Sequence, residues 1–159
     1  MEDPNFDFDS FLAEPRNAVV ATNGVHAPIL RTLSFSWEEG SFWIITGPWA
    51  KLADSLRKDP NISLLVDCTD YEIGRLLQVS ARGVAEIVPY DVDRAYRSMA
   101  RYRGPDVSTW STSPTNYPAL LQEPLPPGLA FIKLTPTVLK GFNYSFTRSP
   151  YAVKPAPQA

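Results

Sequence analysis

Two positively charged residues lie where they could bind one anion. The segment Pro28–Lys51 reads PILRTLSFSWEEGSFWIITGPWAK and predicts a strand, a short turn, a second strand and a helix opened by Gly-Pro. Arg31 lies on the first strand, and Lys51 lies in the first helical turn, shortly after the second strand ends at Thr46. A guanidinium fork and an ammonium near the free N–H groups of a helix start suit a phosphate group. The spacing therefore indicates a phosphate site.

The first strand of this segment alternates, and Arg31 interrupts the alternation. It shares one face with large apolar side chains, which are Ile29, Leu33, Phe35 and Trp37. A guanidinium on such a face is costly unless an anion or a carboxylate pairs with it. Two structural alternatives stay open at this point. Arg31 pairs with an acidic residue or reaches water at a strand end, and Lys51 is an ordinary solvated helix lysine.

Other common active-site patterns are absent from the sequence. One histidine, His26, and one cysteine, Cys68, cannot form a usual transition-metal site, so we expect no metal. The sequence contains no G-x-S-x-G, P-loop or dinucleotide-binding motif. His26 follows a predicted turn and is read as a surface residue. We therefore assign no catalytic side chain.

Composition limits the class of protein. The chain has 159 residues and a net charge of −2, which favours one domain and argues against general nucleic-acid binding. Apolar runs are only strand-length, so no membrane-spanning helix is expected, and the acidic start is unlike a signal peptide. We expect a cytoplasmic protein with a single domain over residues 1–147 and an extended or disordered proline-rich tail over residues 148–159.

The remaining patterns predict a mainly β chain, a β-barrel of six to seven antiparallel strands with peripheral helices. Asn23-Gly24 is a favoured hairpin pair, so the first three strands should form a meander. Gly83 lies inside the longest strand and indicates a bulge or a barrel corner. The predicted strands are Ala18–Thr22, Ile29–Trp37, Ser41–Thr46, Ile62–Cys68, Arg75–Val88, Leu129–Leu134 and Val138–Phe146, and helices are expected over Asp7–Glu14, after Pro48 and over Asp91–Arg103.

Three features allow two interpretations each. The apolar run Phe42–Ile45 needs cover on both faces, from a second subunit or from the proline-rich segment 104–128. Arginines of the third helix form a solvated face or border a binding groove; they include Arg94, Arg97 and Arg101. Trp110 stacks on a bound ring or is buried beneath its own loop.

The sequence resembles the FMN-binding split-barrel superfamily, the pyridoxamine 5′-phosphate oxidase-like proteins, which include flavin- and deazaflavin-dependent oxidoreductases. The resemblance runs from about Phe11 to Phe146. Its main pieces are FLAEPRNAVVATNG, HAPILRTLSFSW, FWIITGPWAKLADSLRKDPNISLLVD and LLQVSARGVAEIV. Their order and spacing are more specific than any one of them.

The resemblance implies a homodimer of split barrels with a flavin in the groove between subunits. Arg31 would contact the FMN phosphate, and Lys51 would be a second phosphate contact. Other positions matched to cofactor contacts are Thr32, Leu33 and Ser34 beside the isoalloxazine, Ile45 and Thr46 along the ring or ribityl chain, and Gln78 on the long strand.

The sequence also departs from the family pattern. Trp49 stands where relatives often have a small polar residue, and no arginine-x-histidine pair follows the last strand. Oxidation of pyridoxamine phosphate is therefore not expected. The resemblance implies an oxidoreductase that acts on a small organic substrate with FMN, or alternatively with the deazaflavin coenzyme F-420. A non-catalytic flavin- or haem-binding module and a scaffold with an empty barrel are the other classes considered.

Overall fold

The computed structural model describes residues 2–147, and the predicted tail, residues 148–159, lies outside them. The strands are mostly where alternation placed them, and one more is found than the seven expected. In chain order the elements are α1 (Phe8–Ala13), β1 (Asn17–Thr22), β2 (Ile29–Ser34), β3 (Ser36–Glu38), β4 (Ser41–Thr46), α2 (Leu52–Lys58), β5 (Asn61–Asp70), β6 (Arg75–Pro89), α3 (Val92–Arg103), short 3₁₀ turns at Val107–Thr109 and Pro118–Leu121, β7 (Ala130–Leu134) and β8 (Val138–Asn143).

The extra strand arises because the predicted strand Ile29–Trp37 bends at Phe35. β2 pairs with β1, and β3 pairs with β4, so both antiparallel pairings of the expected meander occur, but its middle strand is split into two strands at Phe35. The strand order is β2-β1-β5-β6-β7-β4-β3, with β8 also paired to β6. β2 and β3 are thus the two ends of the order, and Phe35 alone joins them. The bent strand closes the sheet into a split barrel, with a gap between β2 and β4 where no strand pairing occurs among the described residues.

A second bend lies at Gly83, which confirms the expected barrel corner. β6 pairs with β8 up to Arg82 and with β7 from Ala85 onward. A Cβ at Gly83 would lie 3.0 Å from the Leu134 side chain and 3.2 Å from the Thr135 carbonyl oxygen. Glycine therefore permits the close approach of the two chain segments at this corner.

Apolar side chains from all eight described strands and from two helices fill the barrel. α1 contributes Phe11 and Leu12, and α2 contributes Leu52 and Leu56. The residues buried with them include Phe35 at the bend and the strand residues Val20, Phe42, Leu64, Val66, Val79, Ile132 and Leu134.

A second apolar cluster covers the outer face of β4 with parts of the same chain. Trp43 packs there with Phe131, with Met99 of α3 and with Trp110 and Leu120 of the proline-rich segment. The run Phe42–Ile45 is therefore covered on both faces as predicted, but the cover is the chain itself. This run no longer argues for a second subunit, and the homodimer stays a prediction.

Trp110 is buried beneath its own loop, which was the second of the two interpretations. Its ring stacks on Tyr96 with centroids 6.0 Å apart, and its indole N–H donates to the Gly104 carbonyl.

The arginines of α3 do not form one uniformly solvated face, because Arg94 and Arg101 are part-buried whereas Arg97 is exposed. Arg94 lies 3.6 Å from the centre of the Trp43 ring and pairs with Glu38 at 2.5 Å. Arg97 also hydrogen-bonds Glu38 and holds the pKa of that carboxyl below its usual range. Arg101 donates to the carbonyl oxygens of Leu12 and Glu14 at the end of α1. These side chains fasten α3 to α1 and to β3.

The predicted tight hairpin at Asn23-Gly24 is wrong. β1 ends at Thr22 and β2 begins at Ile29, so a six-residue loop joins them, and Gly24 does not adopt a positive φ. His26 is exposed in this loop. Among the described residues no helix has the length and apolarity needed to cross a lipid bilayer.

Candidate functional site

The gap between β2 and β4 contains a cavity of about 470 Å³. Its walls come from both strands and from the turn that leads into α2. The lining residues are Arg31, Leu33, Ile44, Ile45, Thr46, Trp49, Ala50, Lys51 and Leu52. We call this space the groove.

Arg31 lies at one end of the groove and carries an uncompensated charge. It lies opposite Val20 in the β1–β2 register, on the face that points into the barrel. Its guanidinium donates to Thr22 Oγ1 at 2.9 Å and to Ser55 Oγ at 3.2 Å, and both acceptors are neutral. Within residues 2–147 no carboxylate forms an ion pair with it, so the alternative of an acidic partner is not observed.

Lys51 lies at the same end of the groove. It is the N-terminal cap residue of α2, and its side chain makes no ion pair or hydrogen bond within the described part of the chain. The two positive groups therefore border one cavity rather than separate regions of solvent. An anion between them would gain two charged contacts.

Thr46 supplies a buried hydroxyl without a partner. The residue is 2% exposed and ends β4, and its Oγ1 has no hydrogen-bond partner among residues 2–147. A buried hydroxyl left unpaired costs about 1–3 kcal/mol. A polar ligand atom in the groove would satisfy it.

The rest of the groove is apolar and suits a planar ring. Leu33 and Ile44 face each other across the gap, and Trp49 lies beside them with 58% of its surface exposed. The Trp49 ring lies against the backbone of Gly47, where an added Cβ would come within 2.4 Å of it. Glycine thus allows the indole to form part of the wall.

Main-chain groups also border the groove. β2 has β1 as its one strand partner, and β4 beyond Trp43 has β7 as its one partner. The second edges of Ile29–Ser34 and of residues 44–46 therefore face the gap without a strand beside them. Free edges of this kind offer N–H and C=O groups to a ligand.

Two further cavities continue the groove. An outer cavity of about 480 Å³ shares Arg31 and Lys51 with it and extends toward Asn23, Lys58 and Asp59. A second cavity of about 180 Å³ lies at the other end and shares four residues with the groove, which are Leu33, Ile44, Ile45 and Trp49. The groove thus adjoins the outer cavity at the positive pair and the second cavity at its apolar residues.

The structure brings five of the eight predicted cofactor residues to the groove, namely Arg31, Leu33, Ile45, Thr46 and Lys51. Ser34 lines the second cavity. Thr32 and Gln78 lie on the outer face of the sheet, and Gln78 donates to Asp67 at 2.9 Å. Neither of the two lines a cavity of this groove, so their contact with a cofactor stays a prediction.

Sequence reasoning missed the two hydroxyls that hold the Arg31 side chain. Ser55 follows Lys51 by one helical turn, and this spacing is the one local signal that could have identified it. Thr22 is brought there only by the pairing of β1 with β2.

The titratable side chains in the described lining of the groove and the second cavity are those of Arg31, Lys51, Tyr102, Arg103 and Tyr117. This described lining has no histidine, cysteine or carboxylate, and no group of metal-binding side chains occurs in residues 2–147. The site is thus built to hold a ligand with an anionic end and an apolar body.

The chain was compared with known proteins at the level of sequence and of structure. The model of the family described as pyridoxamine 5′-phosphate oxidase matches residues 7–142. None of the curated proteins matches the sequence.

Solved structures share the fold at low sequence identity. A conserved hypothetical protein from Mycobacterium tuberculosis is 22% identical, with a TM-score of 0.66 over 89% of this chain and 85% of that chain. A FAD-binding protein from Mesorhizobium loti is 14% identical, with a TM-score of 0.63 over 91% of this chain and 98% of that chain. An F-420 reductase is 21% identical, with a TM-score of 0.59 over 84% of this chain and 96% of that chain. These likenesses support the split-barrel architecture.

Proposed function

Because the chain belongs to the pyridoxamine 5′-phosphate oxidase family, we propose that it is an oxidoreductase that holds a flavin-type cofactor, FMN in the first place, in the groove between β2 and β4. The observation that carries the proposal is the pair Arg31 and Lys51, which borders one cavity without an acidic partner in the described residues. A phosphate dianion would compensate both charges.

Different residues of the groove contact different parts of the cofactor. The Arg31 fork and the Lys51 ammonium hold the phosphate, and the unpaired Thr46 hydroxyl bonds a ribityl oxygen. Leu33, Ile44 and Trp49 enclose the ring and exclude water from it. The bound cofactor supplies the hydride or electron transfer to a small organic substrate. Because the cofactor carries out the redox step, the groove residues need only bind and position it.

A deazaflavin is the alternative cofactor, and one observation favours it. The outer cavity of about 480 Å³ begins at Arg31 and Lys51 and continues away from the groove. FMN ends at its phosphate and would leave this space empty, whereas coenzyme F-420 carries its phosphate in a diester and extends beyond it. One of the similar structures is an F-420 reductase. Two acidic residues, Asp54 and Asp59, also line the outer cavity and oppose a long anionic tail.

Oxidation of pyridoxamine phosphate is not part of the proposal, although the family carries that name. The only histidine, His26, is exposed in the loop between β1 and β2 and is absent from the groove lining.

We further propose that the protein is a cytoplasmic homodimer. Thr32 and Gln78 lie on the outer face of the sheet, away from the groove of their own chain. If they contact a cofactor, it is the one held by a second copy. A cofactor contact by Thr32 or Gln78 therefore requires the homodimer.

Absorption spectroscopy of the purified protein, followed by titration with FMN and with coenzyme F-420, tests the proposal. We expect flavin bands in the purified protein, or saturable binding of one of the two cofactors. Turnover of the loaded protein with NAD(P)H and oxygen would separate an enzyme from a non-catalytic flavin- or haem-binding module. A colourless protein that binds neither cofactor would overturn the proposal and favour a scaffold.

A further inference from the structure

The second cavity opens from the groove at the end opposite the Arg31–Lys51 pair. It shares Leu33, Ile44, Ile45 and Trp49 with the groove, and its remaining walls come from α3 and from the proline-rich segment 104–128. A cofactor with its phosphate between Arg31 and Lys51 would extend its ring toward this end. A molecule in the second cavity would therefore lie next to that ring.

The size of the second cavity limits what it can hold. Its volume is about 180 Å³. A cavity of roughly 150 Å³ is large enough to bind benzene. Met99 and Leu120 are buried in its wall, each 6% exposed, and they give an apolar surface to the body of a ligand. The cavity thus suits one ring with a small substituent.

Arg103 gives this cavity a positive charge. The central carbon of its guanidinium lies 3.5 Å from the centre of the Tyr117 ring, and both residues line the cavity. The cation–π contact restricts the side chain, so fewer conformations are lost when an anion binds. Within residues 2–147 the Arg103 guanidinium has no hydrogen bond or ion pair, and its N–H groups are available for a carboxylate fork.

Among the arginines of α3, only Arg103 has a guanidinium without a hydrogen bond or ion pair in the described residues. Arg94 and Arg97 pair with Glu38, and Arg101 donates to carbonyl oxygens at the end of α1. The described lining of the second cavity contains no acidic residue that would compete for Arg103.

From this arrangement we propose that the second cavity is the substrate site and that it selects a small single-ring organic anion, such as an aromatic carboxylate. The ring of the substrate packs on Met99 and Leu120, and its anionic group pairs with Arg103 beside Tyr117. The proposal rests on the proposed function, because it takes the adjoining groove as the cofactor site. It adds the substrate class and the residues that recognise it.

Benzoate and benzamide are suitable probes, because they have nearly the same shape and differ in charge. Their affinities are measured by calorimetry with the protein as purified and again after saturation with FMN. We expect benzoate to bind about tenfold more tightly than benzamide, the scale of a partly exposed charge-assisted hydrogen bond.

Substitutions at Arg103 and Tyr117 test whether benzoate binds in the second cavity. Arg103→Gln should lower benzoate affinity about tenfold, to that of benzamide, and leave the affinities for benzamide and FMN unchanged. Tyr117→Phe keeps the aromatic face and should bind benzoate as the parent protein does, whereas Tyr117→Leu should bind it more weakly. Arg57→Gln is the matched control, since Arg57 pairs with Asp54 on the surface of α2 and lines none of the three cavities.

The possible outcomes separate this proposal from the proposed function. Equal affinity for the two probes, or an Arg103→Gln variant that still prefers benzoate, would overturn the substrate site while FMN binding stands. Benzoate binding that depends on Arg103, in a protein that ignores FMN and F-420, would support the anion site and overturn the cofactor assignment. A failure of benzoate to bind at all would overturn the substrate site.

Discussion

At the scale of single residues, Arg31 determines the charge of the groove. Its side chain is half-buried and points into the barrel, and its two hydrogen bonds go to the hydroxyls of Thr22 and Ser55. Neutral acceptors orient a guanidinium but leave its charge uncompensated. A ligand phosphate would therefore meet a positive group that is already in position.

Replacing Arg31 by alanine should weaken FMN affinity by about 1.5–3 kcal/mol, the scale of a lost hydrogen bond to a charged group. Calorimetric titration of the variant with FMN measures this. Thermal unfolding of the FMN-free protein, with Arg57→Ala as the control, separates lost binding from the loss of the bonds to Thr22 and Ser55. Unchanged FMN affinity would remove Arg31 from the site.

Local patterns could identify the charged residues of the site but not their supports. Arg31 was conspicuous because it broke an apolar alternation, and Lys51 because it followed a strand and opened a helix. The contact of Thr22 with Arg31 depends on the pairing of β1 with β2, and for Ser55 the sequence offers only its spacing of one helical turn from Lys51. Arg103 and Tyr117 are 14 positions apart in sequence, and the cation–π contact between them depends on the path of the proline-rich segment.

At the scale of the elements, the bend at Phe35 creates the groove, and Tyr102 holds the bend. Phe35 lies outside both strand ladders, so its backbone groups need other partners. The Tyr102 hydroxyl accepts from the Phe35 N–H at 3.1 Å and lies 2.6 Å from the carbonyl oxygens of Phe35 and Arg16. A side chain of α3 thus replaces the strand that is missing at this point.

Replacing Tyr102 by phenylalanine should lower the free energy of unfolding by about 1–3 kcal/mol, because the Phe35 N–H loses its partner in a part-buried position. Urea unfolding measures the change. Tyr96→Phe is the matched control on the same helix, since its hydroxyl bonds the Pro105 carbonyl at the surface and its loss should cost less. Equal stability losses in the two variants would show that the Phe35 bond is not special.

The bend itself had no signal in the sequence. Apolar and polar side chains alternate without a break from Leu33 through Trp37, so the pattern predicted one strand. Similarly, Asn23-Gly24 is favourable for a tight turn, but six residues separate the end of β1 from the start of β2. Alternation reports which face a side chain takes, whereas the choice of partner strand depends on the rest of the barrel.

At the scale of the whole molecule, the surface left for a second copy is the outer face of the sheet. Trp43 and Ile44 are buried within their own chain, so a charged substitution there would disturb folding and would not report on a dimer contact. On the outer face, Val19 and Leu65 are neighbours in register and are 40% and 38% exposed. This face also carries Gln78.

Replacing Leu65 by aspartate should therefore convert the proposed homodimer into monomers and weaken FMN binding, because a buried charge in an apolar contact is unfavourable. Light scattering after size exclusion measures the mass, and FMN titration measures the second effect. The control is Ile73→Asp, in the exposed turn between β5 and β6. A parent protein that is monomeric with FMN bound would contradict the homodimer.

The β-barrel class was predictable because strand-length patterns dominate the chain, with one helix after the third predicted strand and another before the proline-rich segment, and the resemblance to a known family implied the split-barrel type. The family match over residues 7–142 confirms that resemblance. The substrate could not be predicted in the same way, since α3 and the segment 104–128 form its candidate site only after they pack over β4.

The free edges of β2 and β4 have an evolutionary consequence. Every residue except proline presents the same main-chain donor and acceptor, so contacts made through those edges do not depend on side-chain identity. Residues along the two strands other than Arg31 and Thr46 can diverge while the main-chain groups at the gap stay in place. Proteins that share only about a fifth of their residues with this chain have the same architecture. Proline lacks the main-chain N–H, so selection should remove it from the free edges of β2 and β4.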